Sequence, residues 1–295
     1  MNQYYAYNLA IHSVFLLPEL MEHVQSVPDV TILRGSVSPT GLDGYTQGTL
    51  FYQMNQHQCW INVPSVARFM VEDGQTIRVD SVEGIDEESI AAFLLEPCLG
   101  LILMQRDLVV LQGNAIANES QSIVFLGAHS MGKSTLSAAF FKRGYTVLSD
   151  GIVVINKQME VIPSFPALHL WHDAASYLNI DTTSFRRVRP KFEKFIMPTT
   201  EQFNSQPKAI QTIYPIHWNK SGTCEIEPLF GGDKLRYLHA HIYNKPYFIA
   251  AKKNMCYFNF FVQLAKQVNL ILIERTRSHY RTSELVELIE KTAGL

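Results

Sequence analysis

The sequence predicts an α/β (α+β) fold, a mixed sheet carrying helices, preceded by a smaller part rich in strands. Three observations predict it. The glycine-bearing run Gly127-Ala128-His129-Ser130-Met131-Gly132-Lys133-Ser134-Thr135 lies between an apolar strand, Ile123-Val124-Phe125-Leu126, and a helical stretch from Leu136 to Arg143. Immediately upstream, two apolar segments and a four-residue turn read as an antiparallel neighbour of that strand, where a parallel βαβ sheet would need a crossover helix. Residues 1–84 show short segments of alternating polarity between glycine turns.

In chain order, Val30-Thr31-Ile32-Leu33 and Thr76-Ile77-Arg78-Val79 read as strands, separated by turns at Gly35, Gly44, Gly48 and Gly74. This part, residues 1–84, holds no paired acids or clustered ligands and reads as a scaffold or docking module. Asp86-Glu87-Glu88 opens a helix, because acids in the first turn suit the positive end of the helix dipole. Ile90, Phe93, Leu94, Leu101 and Ile102 give that helix a core face, with a break at Pro97. Leu108–Leu111 and Ala115–Ala117 lead into the turn Asn118-Glu119-Ser120-Gln121 and then the loop strand. The helix after the loop stops at Gly144. A strand from Thr146 to Ile155 follows, with Asp150 inside it, and then a proline-rich region of loops and strands to about residue 230. Phe258–Lys266 reads as helix, Leu270–Ile273 as a buried strand, and Thr282–Thr292 as an amphipathic helix capped by Thr282 or Ser283. Two domains are expected, residues 1–84 and 85–295.

Composition narrows the class. Hydrophobic residues make up 47% of the chain and charged residues only 18%, which excludes a disordered protein. A formal net charge of -2 argues against a general nucleic-acid binder, which would need a basic face. Cys59, Cys98, Cys224 and Cys256 are far apart and form no C-x-x-C pair, as expected of reduced thiols and not of a zinc site. No charged-then-apolar leader opens the chain, and its longest apolar run is broken by Glu96 and Pro97. A soluble, cytoplasmic protein with no membrane partner is the expectation.

The chemistry centres on the loop, which fits the phosphate-binding pattern G-x-x-x-x-G-K-[ST] in full. A turn there aims backbone N–H groups and a helix N-terminus at one point, which favours a polyphosphate. Lys133 would reach the outer phosphates and the Ser134 hydroxyl would ligate Mg²⁺. His129, Ser130 and Met131 enter first as backbone donors. Asp150 interrupts an apolar strand, where an unpaired charge is costly to bury, so it reads as a catalytic or metal-binding group. Glu274 ends the strand after Leu270 and reads as a surface acid. His239 and His241 would share one face of a strand, yet a third and fourth metal ligand cannot be placed. Arg189, within the basic run Arg186–Arg189, and Lys194 are candidates to neutralise phosphate or bind an acidic peptide. No arginine finger is evident, which argues against a plain nucleotide hydrolase.

The loop, its helix and Arg143-Gly144-Tyr145-Thr146-Val147-Leu148-Ser149-Asp150 together resemble the HPr kinase/phosphorylase family, in which a Gly-Lys-Ser loop precedes "R-G-[HY]…[SA]-D-D". The resemblance is nearest to the related kinases that act on lasso-peptide precursors. Tyr4–Leu9 with Pro18-Glu19-Leu20, the segment Val161–Trp171, and Glu193-Lys194 before Met197-Pro198 are similar to stretches of those kinases. The resemblance implies a mixed-sheet P-loop core of HPr-kinase/PEP-carboxykinase type. It also implies ATP or another nucleoside triphosphate, Mg²⁺, and phosphoryl transfer to a serine hydroxyl of a peptide or small protein. Asp150 matches the family's first aspartate, which assists deprotonation. The family's histidine falls on Gln112 and its second aspartate on Gly151. Glutamine takes no proton at neutral pH but can position a hydroxyl by hydrogen bonding. Phosphoryl transfer rests mainly on positioning and charge neutralisation. Both a kinase using Asp150, Lys133 and Gln112 and a nucleotide-binding regulatory or scaffold protein therefore stand as expectations. Relatives of the HPr type form hexamers; the motif carries no such property here, and a homo-oligomer stays open.

Overall fold

The structure is a computed structural model and describes residues 1–219, 224–275 and 282–294. The chain divides into two compact units.

The first unit comprises Met1–Val110, Val188–Phe192 and Tyr243–Tyr257. Its strands are β1 (Asn2–Ala6), β2 (Leu9–Ser13), β3 (Met21–Glu22), β4 (Val30–Arg34), β5 (Gln47–Gly48), β6 (Tyr52–Met54), β7 (Gln58–Val63), β8 (Ala67–Glu72) and β9 (Thr76–Ser81). They form one sheet in the order β3-β1-β2-β4-β9-β8-β7-β6-β5, antiparallel except at β2–β4 and β4–β9. Period-2 alternation fixes the register: Ala67, Phe69 and Val71 of β8 are buried while the residues between them are not. Helix α1 (Glu87–Phe93) begins where Asp86 accepts a hydrogen bond from the Ser89 N–H at 2.7 Å. Pro97 denies the helix an N–H, and Leu94–Cys98 widens into a π-turn before α2 (Leu99–Gln105) resumes.

The second unit comprises Leu111–Arg187, Glu193–Ile242 and Phe258–Leu295. Its elements begin with β10 (Val109–Ala117), which enters from the first unit, then β11 (Ser122–Leu126), α3 (Lys133–Phe141), β12 (Thr146–Ser149), β13 (Ile152–Ile155) and β14 (Glu160–Ile162). Next come β15 (Ala167–Trp171), α4 (His172–Tyr177), β16 (Lys194–Pro198), β17 (Lys208–Trp218), β18 (Glu225–Pro228) and α5 (Gly232–Ala240). Helix α6 (Lys245–Ala250) lies in the first unit, and α7 (Asn254–Gln267) passes back into the second, which ends with β19 (Asn269–Arg275) and α8 (Thr282–Ala293).

The sheet is mixed, as the sequence predicts. β11 pairs antiparallel with β10 and parallel with β17, and β17 pairs parallel with β19. The three parallel strands β11, β17 and β19 therefore end on one edge, the edge that carries ligand loops in sheets of this kind. Ile123, Phe125, Tyr214, Ile216 and Ile273 of these strands pack against Leu136 and Phe140 of α3 and Leu285, Val286 and Ile289 of α8. Burying several such side chains, at roughly 1.5–3 kcal/mol each, fixes α3 at the end of β11.

Two expectations need correction. The strand expected from Thr146 to Ile155 is two strands, because the chain turns at Asp150-Gly151, where Gly151 has φ 81°. Glycine takes that conformation at least cost, so the position that would carry a second aspartate is a tight backbone turn. The segment around His239 and His241 is not a strand: His239 lies in the last turn of α5 and His241 follows it, so the two do not share a strand face.

Candidate phosphate and carboxylate site

The site forms where β11 turns into α3. Gly127 ends the strand, and its N–H donates to the Gln112 carbonyl at 3.3 Å. Gly132 adopts φ 81° and stands as N-cap of α3, so the helix begins at Lys133. Lys133 is buried, and its Nζ donates to the Ala128 carbonyl at 2.9 Å, curling the side chain back along the loop. Ala128, His129 and Ser130 are exposed, with Ser130 at φ 63°, whereas Met131 folds inward against the core below and Thr135 is buried. The run thus presents backbone and an ammonium at a helix N-terminus, a combination suited to polyphosphate.

Asp150 meets this loop directly. Its Oδ1 accepts from Ser134 Oγ at 2.8 Å and from Asn114 Nδ2 at 2.6 Å. Its Oδ2 accepts from the His169 backbone N–H at 2.8 Å and from His169 Nδ1 at 3.0 Å. Those donors fill the roughly four acceptor positions of an ionised carboxylate, which accounts for a buried charge at the end of an apolar strand. Burial works to raise the Asp150 pKa, but the hydrogen bonds and charge of His169, with the charge of Lys194, outweigh it. The carboxyl is held well below the usual carboxylate range. An acceptor-only carboxylate also places a His169 hydrogen on Nδ1.

Asn114 locks the arrangement. It is fully buried on β10, and its Nδ2 lies 3.3 Å from Ser137 Oγ and 3.4 Å from Ser134 Oγ. Its Oδ1 accepts from the Gly151 N–H at 3.1 Å, which fixes both the amide orientation and the Asp150-Gly151 turn. Gln112 stands two residues earlier on β10, on the face that Asn114 shares by strand alternation.

Asp150, Lys133, Ser134 and the loop residues are therefore brought to one place. Lys194 opens β16 opposite Trp171, its Nζ 6.0 Å from that indole ring, and its charge acts on Asp150. Arg189 belongs to the first unit, where its guanidinium lies over the rings of Phe93 at 5.3 Å and Phe192 at 5.0 Å. Two residues of the site, Asn114 and His169, are not singled out by sequence reasoning. Asn114, with Gln112 one of two polar side chains in the run Leu111–Ala117, is marked by polarity alone; nothing local marks His169, whose strand β15 packs through Leu168 and Leu170 against Val147 of β12 and Ala138 of α3.

For magnesium, the donor set fits. A hydroxyl oxygen and a carboxylate oxygen already 2.8 Å apart are both hard ligands of the kind that ion takes beside phosphates. Among the described residues no group of three or more His, Cys, Asp or Glu side chains gathers to hold a metal by protein ligands alone. No helix among them is long and apolar enough to cross a membrane.

No family model and no curated protein matches the chain. Among solved structures the chain is similar to the HPr(Ser) kinase/phosphatase from Coxiella burnetii, at 9% identity and a TM-score of 0.33, over 62% of this chain and 89% of that one.

Proposed function

We propose that this protein is an ATP-dependent kinase that moves the γ-phosphoryl group to a serine hydroxyl of a peptide or small protein. A lasso-peptide-type precursor is the acceptor class to which the sequence resemblance points. One observation supports the reading above others: Asp150 is hydrogen-bonded at once to the Ser134 hydroxyl of the phosphate loop and to the His169 imidazole.

Each residue has a task in that reaction. The loop amides and Lys133 bind the triphosphate and spread its charge. Ser134 and Asp150 would hold Mg²⁺ by exchanging the hydrogen bond between them for coordination; the bound ion neutralises charge on the phosphate oxygens. The acceptor oxygen forms its bond to the γ-phosphorus as the bond from that phosphorus to the ADP oxygen breaks. The hydroxyl proton goes to His169 Nε2. Asp150, a weak base with its depressed pKa, keeps the imidazole in the correct tautomer and stabilises the charge it acquires. His169 would thus supply the base that the resembling family carries at the position of Gln112, and Gln112 would orient the acceptor hydroxyl.

The test is incubation of the purified protein with labelled ATP, Mg²⁺ and a candidate precursor peptide, alongside Lys133→Ala and Asp150→Asn. Labelled peptide, lost in both variants, is the expected result. A nucleotide-binding scaffold would instead bind ATP, lose that binding in the lysine variant, and label nothing; Gly151, which leaves no second carboxylate at the turn, is the observation in its favour.

A further inference from the structure

Arg275 ends β19, opposite Trp218 at the end of β17. Ile273 and Ile216, two residues earlier on each strand, belong to the core under α3, so alternation turns Arg275 and Trp218 to the face that carries that helix. The guanidinium lies 5.1 Å from the Trp218 ring centroid, and the residue is only 7% exposed. It reaches the phosphate loop. A methyl group on Gly132 would lie 2.8 Å from Arg275 Nη1, so the left-handed glycine at the head of α3 also leaves the room the guanidinium occupies.

Two cations thus lie along one loop at the head of a helix. The N-terminus of α3 and the Arg275 guanidinium meet at Gly132, and the Lys133 ammonium lies on the same loop at the Ala128 carbonyl. A cation beside a helix N-terminus is unfavourable, the reverse of the preference for anions there. A bound polyanion reverses the sign, and a rigid, stacked guanidinium matches the fork of two phosphate oxygens.

We propose that Arg275 is the second phosphate-contacting cation of this site. It would act within the same chain on the terminal phosphoryl group of a nucleoside triphosphate, where Lys133 alone would leave charge uncompensated. The inference rests on the triphosphate-binding half of the reading above and not on the identity of the acceptor. It supplies from this chain the arginine that sequence inspection does not find.

Calorimetry with ATP and with ADP, each with and without Mg²⁺, tests it on the wild type, Arg275→Gln and Arg275→Lys. A group on the terminal phosphate separates the two nucleotides. The glutamine variant should lose about tenfold or more in ATP affinity and less than about threefold for ADP, with the lysine variant between. Where transfer occurs, its rate in the glutamine variant should fall by about 10³-fold or more. Equal losses for ATP and ADP would mean that Arg275 only props the loop, and unchanged affinities would mean that it does neither; each overturns the proposal. If thermal melting shows the glutamine variant unfolded, the ATP-to-ADP ratio of the lysine variant decides alone. A wild type that binds ATP but labels no peptide removes the kinase reading and leaves this one to the ratio. A wild type that binds neither nucleotide sinks both.

Discussion

The glycine loop and the carboxylate centre share Ser134 and are built in opposite ways. The loop is one contiguous run, Gly127 to Thr135, in which conformation carries the design: a left-handed Gly132, a lysine curled onto the Ala128 carbonyl, and exposed side chains at His129 and Ser130. The centre joins Asn114, Ser134, Asp150 and His169 from four separate stretches of chain, and its geometry is a set of hydrogen bonds to one carboxylate, three from side chains and one from the His169 backbone N–H. A backbone-built site tolerates exchange of most side chains because its donors survive. A site whose members orient one another does not, because deleting one leaves buried polar groups unpaired.

The largest expected effect follows from breaking the centre. Asp150→Asn keeps the shape but turns an amide NH₂ toward donors that now find no acceptor. Phosphoryl transfer should fall by about 10²–10⁴-fold. Stability should fall by about 1–3 kcal/mol, read from urea unfolding. The corresponding exchange in the loop, Thr135→Ser, removes one methyl group and should move neither quantity by a comparable amount. An Asp150→Asn protein that is as stable and as active as the wild type would show that the hydrogen-bonded set does not govern this site.

A second difference appears on acidification. The folded-state pKa of Asp150 is depressed, so its contribution is fully present above the unfolded-state value of about 3.9 and is lost as pH falls below that toward the folded value. Unfolding free energies measured from pH 7 downward should therefore decline more steeply below about pH 4 in the wild type than in Asp150→Asn. Parallel acid limbs in the two proteins would show that the carboxylate gains nothing from its partners on folding. The loop, which contributes no such carboxylate, adds nothing to this limb.

These differences also decide what sequence reading can reach. The loop, its strand and its helix are legible because their information is local: glycine at the turn, apolar residues before, helical periodicity after. The antiparallel neighbour β10 is legible for the same reason, being one turn away. Asp150 is legible because a lone charge in an apolar run demands a partner, but the partner is not. His169 arrives on β15, which is held beside β12 and α3 by the packing of Leu168 and Leu170 against Val147 and Ala138, contacts between residues distant in the chain. The split between β12 and β13 is missed because Val-rich segments on both sides outweigh one glycine, whose positive φ is visible only in three dimensions. Arg275 is missed for a related reason: a basic residue ending a strand reads as solvated until its register with Trp218 is known.

The smallest effect is the sharpest check on the loop. His129 is exposed at the tip, and its neighbour Ser130 already holds the positive φ that shapes the turn. If the amides bind the phosphates, His129→Ala leaves every donor in place. Stability should shift by no more than about 0.5 kcal/mol, as for other exposed substitutions. ATP affinity should stay within about threefold, since 1.4 kcal/mol is needed for tenfold. A tenfold loss of ATP binding in this variant, with the thermal midpoint unmoved, would mean that the imidazole itself contacts the nucleotide. The loop would then be a side-chain site like its neighbour, and the contrast between the two would fail at the position where the structure draws it most clearly.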